Sequence, residues 1–183
     1  MYRRRIFSPS PTQRAFRSLA WTVGIVGGLI FLAVGLPTEL IGSTPRNQSW
    51  TAASAEVLVV DGETLMLGDR PLRLYGLGAP GRGELCNDGV RELDCGNAAA
   101  QALAHLVAER GVDCRLHGHD RHGRALGVCR AGGVELNASM VAAGWALADA
   151  ATVPALGPIE AAAKQSGRGL WAGGFMPPDS WRR

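Results

Sequence analysis

Between Arg17 and Glu39 the chain carries no charged residue for 21 positions. A stretch of this kind limits the possible folds more than any other feature of the sequence. Its central part, Leu19 to Leu36, reads LAWTVGIVGGLIFLAVGL, and 21 residues of α-helix span about 31 Å, the thickness of a bilayer's hydrocarbon core. A buried core helix is the competing reading, and the length of the run and its lopsided flanks oppose it. Arg3, Arg4, Arg5, Arg14 and Arg17 precede the run and Glu39 follows it, which predicts an N-terminus in the cytoplasm and a translocated remainder. The expected address is the inner (cytoplasmic) membrane, crossed once through the N-terminal helix, with the domain in the periplasm or outside. A small-x-small site at Ala53-Ser54-Ala55 lies far beyond the apolar run, so an uncleaved anchor is expected over a cleaved, secreted form.

The charge balance has to be read with that segment set aside. The whole chain of 183 residues has a formal charge of +3 and a pI near 8.9, which invites a nucleic-acid reading. From Arg46 onward, however, 14 basic residues face 15 acidic ones, a balance of −1. The basic surplus belongs to the N-terminus, and a near-neutral domain argues against tight, non-specific nucleic-acid binding. With 46% apolar and 19% charged residues, wholesale disorder is excluded. The 25 glycines have no three-residue period, which excludes a collagen-like chain.

Four cysteines, Cys86, Cys95, Cys114 and Cys129, fall in the translocated part. An even count in an oxidising compartment points to two disulfides, and four cysteines allow three pairings. Zinc is the alternative, but there is no C-x-x-C pair and the spacings are wide and irregular.

The expected organisation is a basic cytoplasmic segment at 1–17, a transmembrane signal anchor at 18–38, a linker at 39–54, a folded domain at 55–175 and a tail at 176–183. Within the domain, Glu56–Val60 is a β-branched run ended by Asp61-Gly62, Thr64–Leu67 resumes, and Pro71–Leu77 alternates after the Gly68-Asp69 turn. These read as three strands of a meander. Residues 78–95 read as a glycine-rich loop. A helix is expected over Gly96–Arg110, strands over Val112–His117 and Ala125–Arg130, and helices over Leu136–Ala148 and Ile159–Gln165. The fold class is therefore mainly β (α+β): five short strands with interposed helices suggest a small closed barrel rather than a sandwich.

The motifs inside this order name a family. Val59-Val60-Asp61-Gly62-Glu63-Thr64, Arg73-Leu74 with Pro80, and Asp120-Arg121-His122-Gly123-Arg124 together resemble the staphylococcal nuclease-like (thermonuclease) family. Leu136-Asn137-Ala138-Ser139-Met140-Val141, Gly144-Trp145-Ala146 and Gly167-Arg168-Gly169-Leu170-Trp171 follow in the same order, so the resemblance covers about residues 55–175. It implies an OB-fold barrel of five strands with three helices. The cysteines and the closing Trp181-Arg182 look like exported bacterial members.

Phosphodiester hydrolysis needs a hard cation, oxygen ligands for it, a group that positions water, and fixed positive charge at the phosphate. In the family, two aspartates and a backbone carbonyl hold Ca2+, a glutamate handles the water, and two arginines hold the phosphate. Carried over by position, Arg73 and Arg124 are the phosphate-binding candidates, suited to bidentate anion binding. Glu63 stands at the first metal-binding aspartate as a candidate Ca2+ ligand, one methylene longer. Gly78 replaces the second aspartate, Gly81 replaces the glutamate, and Ala79 keeps only a carbonyl. Glu84, three residues beyond Gly81, is the candidate substitute base.

Each of these residues has a blander reading. Arg73 and Glu63 pair across neighbouring strands in the purely structural one. His117, His119 and His122 in HGHDRH read as a solvated hairpin turn shaped by Asp120 and Gly123, with no metal-ligand spacing. Trp145, Trp171 and Trp181 read as core and cap packing. Two functions follow. The glycines at 78 and 81 favour a catalytically silent OB-fold module that binds an anionic ligand or a protein partner. The alternative is a weak Ca2+-dependent phosphodiesterase acting on DNA or RNA outside the cytoplasm.

Overall fold

Strand-forming runs broken by glycine-aspartate turns build the first part of the domain. In the computed structural model, which describes residues 48–87 and 92–182, β1 spans Ser49–Ala52, β2 Val57–Val59, β3 Thr64–Leu67, β4 Arg70–Leu74 and β5 Leu77–Gly78. The β3–β4 turn is two residues long, and Gly68 takes φ +65°, the left-handed region that favours glycine. Next come β6 (Leu85–Asn87), β7 (Glu92–Asp94) and the helix α1 (Cys95–Val107), whose N-terminus is capped by the Asp94 carboxylate accepting the Asn97 N–H at 2.8 Å. The strands β8 (Val112–His119), β9 (Ala125–Ala131) and β10 (Val134–Glu135) precede α2 (Leu136–Ala142), β11 (Leu147–Ala148) and α3 (Leu156–Gln165).

The main sheet runs in the order β1-β8-β9-β4-β3-β2, with β10 paired to β9. All its ladders are antiparallel except β4–β9, which is parallel with Arg73 opposite Leu126. The fold is a mainly-β α+β domain with three α-helices, consistent with an OB-like architecture. The expected closed five-stranded barrel needs correcting, because no ladder joins the two ends of this path among the described residues. The reason lies in β1. It takes the outer edge of β8, with Ser49 opposite Arg115 and Ala52 opposite Val112. The ends β1 and β2 are instead consecutive in the chain, joined through one 3-10 turn at Ser54–Glu56. A connection this short spans less than about 20 Å, so the sheet curls without a closing ladder.

Three further differences from the sequence pattern are local. The strand β1 lies in the segment read as a linker. The loop expected over 78–95 contains the β6–β7 hairpin. The helix expected over Leu136–Ala148 stops at Ala142, because Gly144 takes φ +77° and its carbonyl oxygen accepts the Leu170 N–H at 2.8 Å. The transmembrane segment expected at 18–38 lies outside the described residues. Among those described, no helix is long and apolar enough to cross a membrane.

Two packed clusters hold the domain. Leu65, Leu72, Leu74 and Leu77 of the sheet meet Leu103 of α1 and Leu136 and Met140 of α2, all 0–1% exposed. A second cluster gathers Cys86, Cys95, Leu147, Leu170, Trp171 and Trp181. The C-terminal tail is thus part of the packed domain through Trp181. Both disulfides form: Cys86–Cys95 ties β6 to the first residue of α1, and Cys114–Cys129 joins directly opposite residues of β8 and β9.

Candidate functional site: an arginine cleft beside a glycine loop

Arg73 sits on β4, and Arg124 immediately precedes β9. Because the two strands are parallel neighbours with Arg73 opposite Leu126, Arg124 lies one two-residue step away on the same face. Both arginines line an open cleft of about 590 Å³, together with Tyr75, His122, Asp149 and Arg182. The sequence brought the first two together by resemblance only; the parallel ladder does so physically.

Each arginine is held by a carboxylate. The Arg124 Nε donates to Asp120 Oδ2 at 2.7 Å, while Asp120 Oδ1 accepts the His122 and Arg124 backbone N–H groups at 2.8 and 2.9 Å. Asp120 thereby shapes the turn and aims the guanidinium. Partial burial pushes its carboxyl up, but the Arg124 side-chain hydrogen bond, the two backbone N–H bonds and the guanidinium charge outweigh it and hold the pKa at about 2.

Arg73 is buried at 8% exposure, and its Nη2 donates to Glu63 Oε2 at 3.0 Å. The same oxygen accepts the Ala79 N–H at 2.9 Å. Burial pushes the Glu63 carboxyl above its ordinary range, against the lowering effect of Arg73 and of the Ala79 N–H. The Arg73 Nε is buried and has no hydrogen-bond partner among the described residues. An orphaned guanidinium N–H beside a cleft is the kind of donor an anion satisfies.

The glycine loop does not line this cleft, although its Ala79 N–H meets the Glu63 oxygen that holds Arg73. Glu84 folds back so that its Oε2 accepts the Gly81 N–H at 2.7 Å, and a Cβ at Gly81 would lie 3.9 Å from that carboxylate. The substitute candidate therefore sits beside the position it was expected to replace, engaged with backbone, and it does not line the arginine cleft. Arg82 straps the loop down, donating to Val60 O at 2.5 Å and to Asn97 Oδ1 at 3.3 Å. Gly96 has to be glycine, since a Cβ there would overlap the Gly81 carbonyl oxygen.

A Ca2+ centre does not fit the residues present. Glu63 offers a carboxylate whose Oε2 is already shared by a guanidinium and a backbone N–H, and Gly78 and Gly81 add no side-chain oxygen. Among the described residues no group of three His, Cys, Asp or Glu side chains is placed to hold a metal ion. Cation affinity follows ligand charge and number; a guanidinium 3.0 Å from the retained carboxylate opposes it further.

The family model described as "Staphylococcal nuclease homologue" matches residues 71–173. The chain belongs to this family. Among curated proteins, the nuclease homologue is similar to "Succinoglycan biosynthesis protein ExoI" of Rhizobium meliloti (strain 1021), 34% identical over 118 residues, 62% of this chain and 61% of that protein. The match thus spans less than two thirds of that relative's length. It is also similar to an "Uncharacterized endonuclease" of Escherichia coli O157:H7, 31% identical over 147 residues, 73% of this chain and 90% of that protein. A protein of the same description from Escherichia coli matches equally.

Three further residues around the site were not singled out from the sequence, although Asn137 and Arg182 lie in motifs that carry the resemblance. Tyr75 lines the cleft two residues after Arg73, and i, i+2 spacing along a strand was its only cue. Arg182 reaches the cleft from the tail and is tied to both carboxylate oxygens of Glu160 at 2.8 and 2.9 Å and to Ala148 O at 2.8 Å. Asn137, 1% exposed, accepts the Cys129 N–H at 3.0 Å and donates to Tyr75 O at 2.9 Å and Gly127 O at 3.1 Å. It clamps the end of β4 to β9 and so sets the spacing of Arg73 and Arg124.

Proposed function

We propose that the domain is an anion-binding module whose arginine cleft takes a phosphate-type group and which lacks the family's metal-dependent catalytic centre. The observation that carries this reading is the split between Arg73 and Arg124, which share one cleft, and Glu63, which is spent on Arg73 while positions 78 and 81 are glycine. The module is anchored by residues 18–38 and works outside the cytoplasm. The uncharged run of 21 positions behind five arginines supports that address, and two disulfides suit an oxidising compartment. Protease applied to spheroplasts should digest the domain; a domain protected until the membrane is lysed counts against this topology.

The second reading is a weak endonuclease. It is favoured by the printed description of the two Escherichia coli relatives and by the Glu84 carboxylate standing beside Gly81. The full chain in detergent, offered labelled single-stranded DNA and RNA with Ca2+ or with chelator, separates the two. The module reading expects binding without cleavage, insensitive to chelator and weakened about tenfold or more by Arg124→Ala. Chelator-sensitive cleavage that disappears in Arg124→Ala overturns it in favour of the endonuclease.

A further inference from the structure

The four cysteines are not equivalent. Cys114 and Cys129 are 0% exposed, belong to the main core cluster and sit in a ladder flanked on either side by β1 and β4. Cys86 keeps 8% of its surface exposed and lines a groove of about 280 Å³ together with Leu93, Leu170 and Phe175. Its partner Cys95 is 0% exposed and is the first residue of the 13-residue helix α1, where the positive end of a helix stabilises a thiolate. Neither residue lines the arginine cleft.

The hairpin that carries Cys86 is thinly supported. The strands β6 and β7 form a two-stranded sheet of their own, Leu85 and Leu93 are each 51% exposed, and a two-stranded hairpin is marginal in water. Three bonds fasten the chain from Gly81 to Cys86 onto the first turn of α1. The Gly96 N–H donates to Glu84 O at 3.0 Å, Arg82 Nη1 donates to Asn97 Oδ1 at 3.3 Å, and the Cys86–Cys95 disulfide completes the set. Only the last is covalent.

We propose that Cys86–Cys95 is a thiol–disulfide exchange site whose redox state latches or releases the segment from Gly81 to Cys86, and that Cys114–Cys129 is a permanent structural bond. The co-reactant is a dithiol. Its thiolate attacks Cys86 Sγ, the S–S bond breaks, and Cys95 leaves as a thiolate that takes up a proton. The second thiol of the reductant, once deprotonated, attacks its own sulfur in the mixed disulfide and releases Cys86, which takes up the second proton. Two electrons pass from the dithiol to the cystine, so the reductant ends as a disulfide and the protein as two thiols. Cys86 is the attacked sulfur because it is the partner with surface at the groove and because Cys95, at the start of α1, is the better leaving group. The consequence is local. Gly96 packs so closely that a Cβ there would overlap the Gly81 carbonyl oxygen, so the loop keeps its place only while the first turn of α1 is held against it. Release of Cys86 frees the hairpin and the loop from that turn, and the main sheet keeps its ladders and its own disulfide.

The test treats the full chain in detergent with dithiothreitol under native conditions, alkylates free thiols at timed intervals and maps them by mass spectrometry. Cys86 and Cys95 should be alkylated at least about tenfold faster than Cys114 and Cys129, whose opening waits for global unfolding. Equal rates, or Cys114–Cys129 opening first, overturn the exchange site. Glutathione, a monothiol, should be caught as a mixed disulfide on Cys86; capture on Cys95 overturns the assigned direction of attack. Hydrogen exchange reads the latch. Reduction of Cys86–Cys95 should speed amide exchange in residues 81–87 and leave β8 and β9 unchanged, and the double variant Cys86→Ser with Cys95→Ser should show the same speeding without reductant. Unchanged exchange in residues 81–87 after reduction overturns the latch. The wild-type comparison decides even where the double variant fails to fold.

Discussion

The arginine cleft and the loop at 78–84 are separated by only a few residues at Arg73, yet they differ in the chemistry they offer. The cleft retains its cationic groups and the supports that aim them: Asp120 on Arg124, Glu63 on Arg73, and Asn137 between the strands that carry both. The loop has glycine at 78 and 81, and Arg82 and Glu84 strap it to β2, α1 and its own backbone. Fold and chemistry are therefore separable here. A loop position whose backbone is held by neighbours tolerates loss of its functional side chain, whereas a buried guanidinium cannot lose its counter-charge cheaply.

The largest effect expected from this contrast is at Glu63. Glu63→Ala should cost about 3–5 kcal/mol in urea unfolding, because it leaves Arg73 buried and unpaired. Pairing Glu63→Met with Arg73→Met should recover most of that loss. A single-variant cost under about 1 kcal/mol would show that Arg73 does not depend on Glu63 and is free for ligand. Next is Asn137→Leu, expected to cost about 2–4 kcal/mol by stranding the Cys129 N–H and two carbonyls, and to weaken anion binding through the displaced arginines. Unfolding together with phosphate titration reads both effects.

Acid pH acts with opposite signs on the two carboxylates that support the cleft arginines. The Asp120 carboxyl is held at about 2, below its ordinary 3.8, so its contribution to stability is complete above its unfolded value and is lost as pH falls through about 2. The stability advantage of wild type over Asp120→Asn should vanish there. Glu63 is shifted upward from its ordinary 4.5, so its protonation favours the folded state, fully below that value and progressively less as pH rises through the folded pKa. Relative to Glu63→Gln, wild type should gain stability as pH falls from neutral toward 4.5; a loss over that range would reverse the sign assigned to its burial. The smallest effect is expected at Gly81→Glu. The new Cβ meets nothing closer than the Glu84 carboxylate at 3.9 Å, so the change in stability should stay within about 1 kcal/mol. A larger loss would mean that the loop has closed around the missing side chain.

Much of the fold could be read from local pattern. The β3 range matches its pattern residue for residue, and β8, β9, α1 and α3 appear within a few residues of where alternation, turn glycines and apolar spacing put them, while α2 starts as expected and ends six residues early. The glycines at 78 and 81 are equally legible as identities, and only the family resemblance marks them as places where carboxylates are expected. Other features depend on partners distant in the chain. Ser49–Ala52 has no strand pattern of its own and becomes a strand because β8 offers an unpaired edge. The disulfide partners follow from which strands and helix ends face each other. The Tyr75–His117 stack and the return of Arg182 to the cleft join residues that no sequence spacing connects.

By itself, then, the sequence determined the main helices and central strands, the membership in the nuclease family, the charge partition and the glycines at 78 and 81, since each follows from side-chain identity, motif order or short-range periodicity. Only the tertiary structure decided what the surviving residues do to one another. It spent Glu63 on Arg73, turned Glu84 onto backbone, set Arg124 beside Arg73 through a parallel ladder, and placed Tyr75 in the same cleft. Hydrogen bonds and ion pairs act over a few ångströms, and only the folded chain brings these groups within that reach.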